Sequence, residues 1–188
     1  LSHSFGGRKV AMLSTPQQEQ DVVSLFHELI GVGLLRGIRF FSTSTHERYD
    51  SLYQLEYEDD EKLKWDRQKN PLGVASALVP TVSEPRVLEY KLDFDSLVGD
   101  FDREEKFAKH INFVVCWNAT SAFKDQFYLN SLLVGDEGSG RVHYGATHQA
   151  IPAGSGEAVF EVLLLSDLLS FLSNPDEEIA RQRHLYRD

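Results

Sequence analysis

The sequence predicts an α/β protein: a mixed central β-sheet flanked by helices, with a C-terminal hairpin, a further strand and short helices added to it. Three features of the 188 residues carry that expectation. Val22, Phe26, Leu29 and Ile30 recur at helical spacing and form one apolar stripe. Residues 37–43 (GIRFFST) and 49–58 (YDSLYQLEYE) are rich in aromatics and in Ile or Leu, as strands are. Residues 112–117 (NFVVCW) are almost wholly apolar, which suits a strand covered on both faces, of the kind a helix–strand crossover delivers to a sheet interior.

Taken in order, Thr15-Pro16-Gln17-Gln18 reads as a helix start, with Thr15 as N-cap, Pro16 at the first helical position and Gln18 completing a capping box. The helix should run to Leu29 or Ile30, before Gly31, Gly33 and Gly37 break the pattern. Glu28 lies beside the stripe near the helix end, where a solvated helix-face acid is the ordinary reading. A polar turn at residues 44–47 joins the two strands that follow. Asp50 opens the second; Asp is disfavoured in strands, so it is either a turn residue or a functional group. Residues 59–84 make a connection long enough to be functional. Within it Lys62, Lys64, Arg67 and Lys69 surround Trp65, either as a phosphate-binding patch or as a salt-bridged short helix. Residues 86–93 (RVLEYKLD) read as a third strand, and 101–111 as a helix burying Phe101, Phe107, Ala108 and Ile111. Beyond the strand at 112–117, residues 126–134 and 141–146 read as strands joined by the Gly-rich turn GDEGSG. Residues 158–165 form another strand, 167–172 a short helix, and 176–186 a terminal helix begun by Asn174-Pro175. His143 and His148 have no third ligand at zinc-like spacing and read as ordinary polar residues.

With 41% hydrophobic and 11% aromatic residues the chain can bury one good core. A single domain over residues 1–188 is therefore expected, with its core at 15–117 and an elaboration at 118–188; the missing initiator Met suggests a fragment of a longer protein. No apolar run is long enough to span a bilayer, and residues 1–9 (LSHSFGGRK) lack the apolar segment of a secretory signal. An intracellular chain without a membrane partner, cytoplasmic or nuclear, is expected. The single cysteine, Cys116, excludes an internal disulfide and reads as a buried, inert thiol. A net charge of -10 argues against a surface coated for nucleic acid, but it permits a local basic groove, and acidic clusters awaiting metal contribute to such a count.

Residues 86–93 carry the chemistry. Glu89 and Lys91, two apart on a strand, project from one face while Leu88, Tyr90 and Leu92 project from the other. The same E-x-K spacing recurs in Glu104 and Lys106, but inside the expected helix, where residues two apart do not face each other. Hydrolysing a phosphodiester needs a water made nucleophilic near neutral pH and a positive centre for the charge developing at phosphorus; a divalent metal supplies both. Mg²⁺ prefers oxygen ligands and keeps several waters, so Asp50, Glu89 and the Tyr90 carbonyl, with substrate phosphate, suit Mg²⁺ or Mn²⁺. Lys91 would hold the attacking water or help deprotonate it, and Glu28 would bind a second ion directly or through water.

With these residues in place, the region 15–117 resembles the PD-(D/E)XK nuclease superfamily and its restriction-endonuclease-like fold. The match rests on RYDSLY with Asp50, on VLEYK with Glu89 and Lys91, on Glu28 in the preceding helix, and on the order helix, three strands, helix, strand. Tyr49 stands where many members have Pro, and the insertion between Asp50 and Glu89 is long. The resemblance implies a metal-dependent endonuclease acting on nucleic acid, DNA in the first instance. The chain is also similar to modules fused to heat-shock-type or MORC-like ATPases, which implies further domains in a longer parent protein. The alternative expectation is a catalytically inactive restriction-fold domain that docks nucleic acid or forms a homodimer; the acidic balance and the apolar C-terminal strands favour it.

Overall fold

The apolar run NFVVCW forms the middle of a mixed sheet, and the rest of the chain is layered on its two faces. The computed structural model describes residues 4–5, 8–43 and 48–186. In chain order the elements are β1 (Ser4–Phe5), β2 (Arg8–Lys9), α1 (Glu19–Gly31), β3 (Ile38–Thr43), β4 (Ser51–Tyr57), β5 (Thr81–Val82) and β6 (Arg86–Asp93). There follow α2 (Phe94–Asp102), β7 (Phe113–Asn118), β8 (Phe127–Ser131), β9 (His148–Pro152), β10 (Phe160–Leu164), α3 (Leu165–Ser173) and α4 (Pro175–Tyr186).

The main sheet has the order β3-β4-β6-β7-β10-β9-β8, with β5 pairing along the end of β4. β6, β7 and β10 are mutually parallel, and the flanking pairs are antiparallel. Alternation along β7 divides the core. Phe113 and Val115 pack with α1 and α3, whereas Val114 and Cys116 pack with Phe94, Leu97 and Val98 of α2 on the other face. The protein is thus an α/β fold with a mixed sheet between helices. On α1 the buried residues Val22, Leu25, Phe26 and Leu29 follow the helical period. The Phe26 ring meets Phe40, Tyr90 and Phe113 edge-on. Among the described residues, no helix is long and apolar enough to cross a membrane.

Four local expectations change. Helix α1 starts at Glu19, because Asp21, not Thr15, satisfies the entering backbone: its carboxylate accepts the Gln17 and Gln18 N–H groups at 2.9 and 3.2 Å. The helix expected at 101–111 lies earlier. Asp93 caps it by accepting the Ser96 N–H at 2.8 Å, and Phe94, Leu97, Val98 and Phe101 supply the apolar stripe. The chain then leaves the helix through Glu104, whose φ of 57° is left-handed. Residues 141–146 do not form a strand. Arg141 is wholly buried there, and its guanidinium donates to the carbonyls of Pro71, Gly73, Leu132 and Ala146 at 2.8 Å each, so the segment is held as a loop. The strand pairing with β8 is instead β9, five residues from His148. The polar turn at 44–47 lies outside the described residues.

The long connection 59–84 is packed rather than free: Leu63, Leu72, Val74 and Val79 are buried in the core. His143 and His148 are both buried and bonded. The His143 ring stacks on Phe113 with centroids 4.2 Å apart, and its nitrogens meet Glu161 Oε2 at 2.7 Å and the Tyr53 hydroxyl at 2.6 Å. His148 bonds Thr147 and Gln182 at 2.9 Å each, and burial pushes its pKa down to about 4.

Candidate active site

Antiparallel pairing of β4 with β6 sets Ser51 opposite Leu88, and this register brings Asp50, the residue before β4, beside Glu89. Two hydrogen bonds lock the pair across the strands. Glu89 Oε1 accepts the Asp50 N–H at 3.3 Å, and Asp50 Oδ2 accepts the Tyr90 N–H at 2.8 Å. Each carboxylate therefore has one oxygen tied to backbone and the other left for a cation. That cation is the ammonium of Lys106, 3.9 Å from Asp50 Oδ1 and in direct contact with Glu89 Oε2.

Glu89 is fully buried, and burial, followed by the charge of Asp50, pushes its pKa up to about 8; Lys106 pulls it back only in part. The pair is short of positive charge. Lys91 does not make up the difference, since its ammonium lies 2.9 Å from Asp100 Oδ2 and 3.7 Å from Glu19 Oε2. Burial would lower the Lys91 pKa, but the Asp100 bond and the charges of Glu19, Asp100 and Asp50 outweigh it and hold the ammonium above its ordinary value. These surroundings suit Lys91 as a fixed, charged donor.

Two further expectations, those for Glu28 and Lys106, are revised by placement. Tyr90, whose carbonyl is the expected ligand, also meets the site through its N–H, which donates to Asp50 at 2.8 Å. Glu28 sits near the C-terminal end of α1, where Oε1 accepts the Ala11 N–H at 2.6 Å. The helix acid that reaches the site is Glu19, in the first turn, about 13 Å away along the helix axis. Burial, ahead of the Lys91 charge that opposes it, raises the Glu19 pKa. Lys106, set aside in the sequence as part of a helix, lies in the turn after α2 and is free to point back at Glu89.

That turn is itself held. Arg48 donates to the carbonyls of Glu105 and Glu104 at 2.8 and 3.0 Å, and its guanidinium lies 4.5 Å from the Phe107 ring centroid. Lys106, Asp100, Glu19 and Arg48 are the residues that sequence reading missed. Their only signal was the acidity of 93–102 and the second E-x-K word, and using either required the correct helix end.

Among the described residues, no group of three or more His, Cys, Asp or Glu side chains is gathered so as to hold a metal ion by itself. Two carboxylates do converge, and Mg²⁺ commonly takes only one or two from the protein and completes its shell with water and phosphate. The donor set is compatible with such an ion, for which Asp50 Oδ1 and Glu89 Oε2 would be the protein ligands. Comparison with models of protein families, with curated proteins and with solved structures found no match.

Proposed function

We propose that the protein is a divalent-metal-dependent nuclease of PD-(D/E)XK type, hydrolysing phosphodiesters of DNA at a site built from Asp50 and Glu89. One observation carries the reading: two acids, one just before β4 and one on β6, are each fixed by a backbone N–H and aim their remaining oxygens at one cation. Bound Mg²⁺ or Mn²⁺ would supply an acidified water and a positive charge facing the phosphate. The chain's own groups do the rest. Asp50 and Glu89 would hold the ion, whose charge would oppose the burial and the Asp50 charge that push the Glu89 pKa up. Lys91, held charged by Asp100 and Glu19, donates hydrogen bonds to the attacking water or to a phosphate oxygen. Lys106 partly offsets the charge of the two carboxylates and would have to give up that contact to a bound ion.

The presence of Lys106 favours a second reading, in which an ammonium permanently answers the two acids. The domain would then dock nucleic acid or pair with a second copy, without chemistry, as part of a longer protein.

Incubation with supercoiled plasmid and Mg²⁺ or Mn²⁺ separates the two. The nuclease nicks DNA, and Asp50→Asn and Glu89→Gln each reduce nicking by about 100-fold or more while keeping a cooperative melting transition. Nicking that persists unchanged in both variants overturns the site. An absence of nicking together with no calorimetric Mn²⁺ binding supports the second reading.

A further inference from the structure

A cleft of about 590 Å³ lies away from Asp50 and Glu89. It adjoins Tyr57, whose hydroxyl accepts the N–H of the cavity-lining Tyr144, and Tyr57 is at the opposite end of β4 from Asp50, roughly 20 Å along the strand. Four cations line it, Arg36, Lys62, Lys64 and Lys69, together with Trp65. Lys64 is paired with Glu61, but Arg36, Lys62 and Lys69 form no ion pair among the described residues. The other lining acid, Asp66, is engaged by the Gln68 and Lys69 backbone N–H groups at 2.9 and 2.8 Å.

The walls are preformed. Asn70 Nδ2 donates to the carbonyls of Lys62 and Lys64 at 2.8 and 3.0 Å, and Asn70 Oδ1 accepts the Tyr144 hydroxyl at 2.9 Å. Arg36 is steered over the Tyr144 ring, 5.4 Å from its centroid, with Nε donating to the Gly33 carbonyl. In a chain of net charge -10, three unpaired cations gathered around one cavity beside an indole are suited to an anion that carries an aromatic ring.

We propose that this groove binds a nucleotide, with the phosphate taken by Arg36, Lys62 and Lys69 and the base set against Trp65. The nucleotide is either free or one unit of a single strand. The proposal is independent of the nuclease reading, because it involves neither the carboxylate pair nor a metal.

Binding is measured in EDTA, so that no metal-dependent cutting intrudes, with AMP and inorganic phosphate by calorimetry and with fluorescent dT10 by anisotropy. The variant is Lys62→Ala/Lys69→Ala, whose side chains are exposed. The wild type is expected to bind AMP, and the variant to bind it at least tenfold more weakly at an unchanged melting temperature. Tight dT10 binding, with a salt slope about 1.4 shallower in the variant, assigns the strand; AMP binding alone assigns the free nucleotide. The proposal is overturned if neither AMP nor dT10 binds, if the variant binds as well as the wild type, or if inorganic phosphate binds as tightly as AMP.

Discussion

At the scale of single residues, Glu89 sets the behaviour of the site. Its carboxyl is held near pKa 8 by burial and by Asp50, against an ordinary value of 4.5. The folded state thus keeps a proton that the unfolded chain releases, so stability falls as pH rises from 4.5 to 8 and is level above. Glu89→Gln should flatten that decline, which is worth roughly 3 kcal/mol, in urea unfolding at pH 5 and pH 8. Equal pH dependence in both proteins would clear Glu89 of this role. His148 works in the opposite direction. Its pKa falls from 6.5 to about 4 on burial, so its contribution is present above 6.5 and is lost as pH falls toward 4; His148→Gln should lessen the acid sensitivity of the melting temperature. For Lys106, substitution by Met removes a competitor for the carboxylates, and Mn²⁺ affinity measured by calorimetry should rise about tenfold, by the affinity scale of one modest charge interaction. Unchanged affinity would mean that the ammonium does not stand in the ion's place. That Glu89 and Lys91 share a face was legible in the sequence because strand alternation is a two-residue rule. Lys106 was not, because it reaches Glu89 across seventeen residues and a helix end.

At the scale of elements, legibility followed the periodic pattern. Helix α1 was readable from its stripe, and the same stripe makes it indispensable: Phe26→Ala should cost about 3–5 kcal/mol in chemical denaturation, since the ring is fully buried against three others. Its first residue was misplaced because several polar residues compete to cap, and only the structure shows Asp21 prevailing. Helix α2 was displaced for a related reason. Phe101 fits both the true stripe, with Phe94, Leu97 and Val98, and a false one running on to Phe107 and Ile111. A left-handed Glu104 is not written in any local propensity; the turn persists because Arg48 gathers two of its carbonyls. Arg48→Ala should therefore speed amide exchange across 103–107 while leaving β6 and β7 protected. Uniform exchange rates in the two proteins would show that the turn holds itself.

At the scale of the whole molecule, the parallel centre β6-β7-β10 joins an N-terminal meander that ends at β3 to a C-terminal one that ends at β8. The interior position of β7 was legible because an all-apolar strand needs cover on both faces. The C-terminal order was not, since the loop before β9 owes its shape to one guanidinium reaching carbonyls far away in sequence. Arg141 binds together residues 71, 73, 132 and 146, so the basic connection cannot lift off without stripping the buried guanidinium of its bonds to the Pro71 and Gly73 carbonyls. A stretch that by composition invites trypsin, at Lys62, Lys64, Arg67 and Lys69, should consequently survive digestion until the entire domain opens, and Arg141→Met should turn it into the first place the protease nicks.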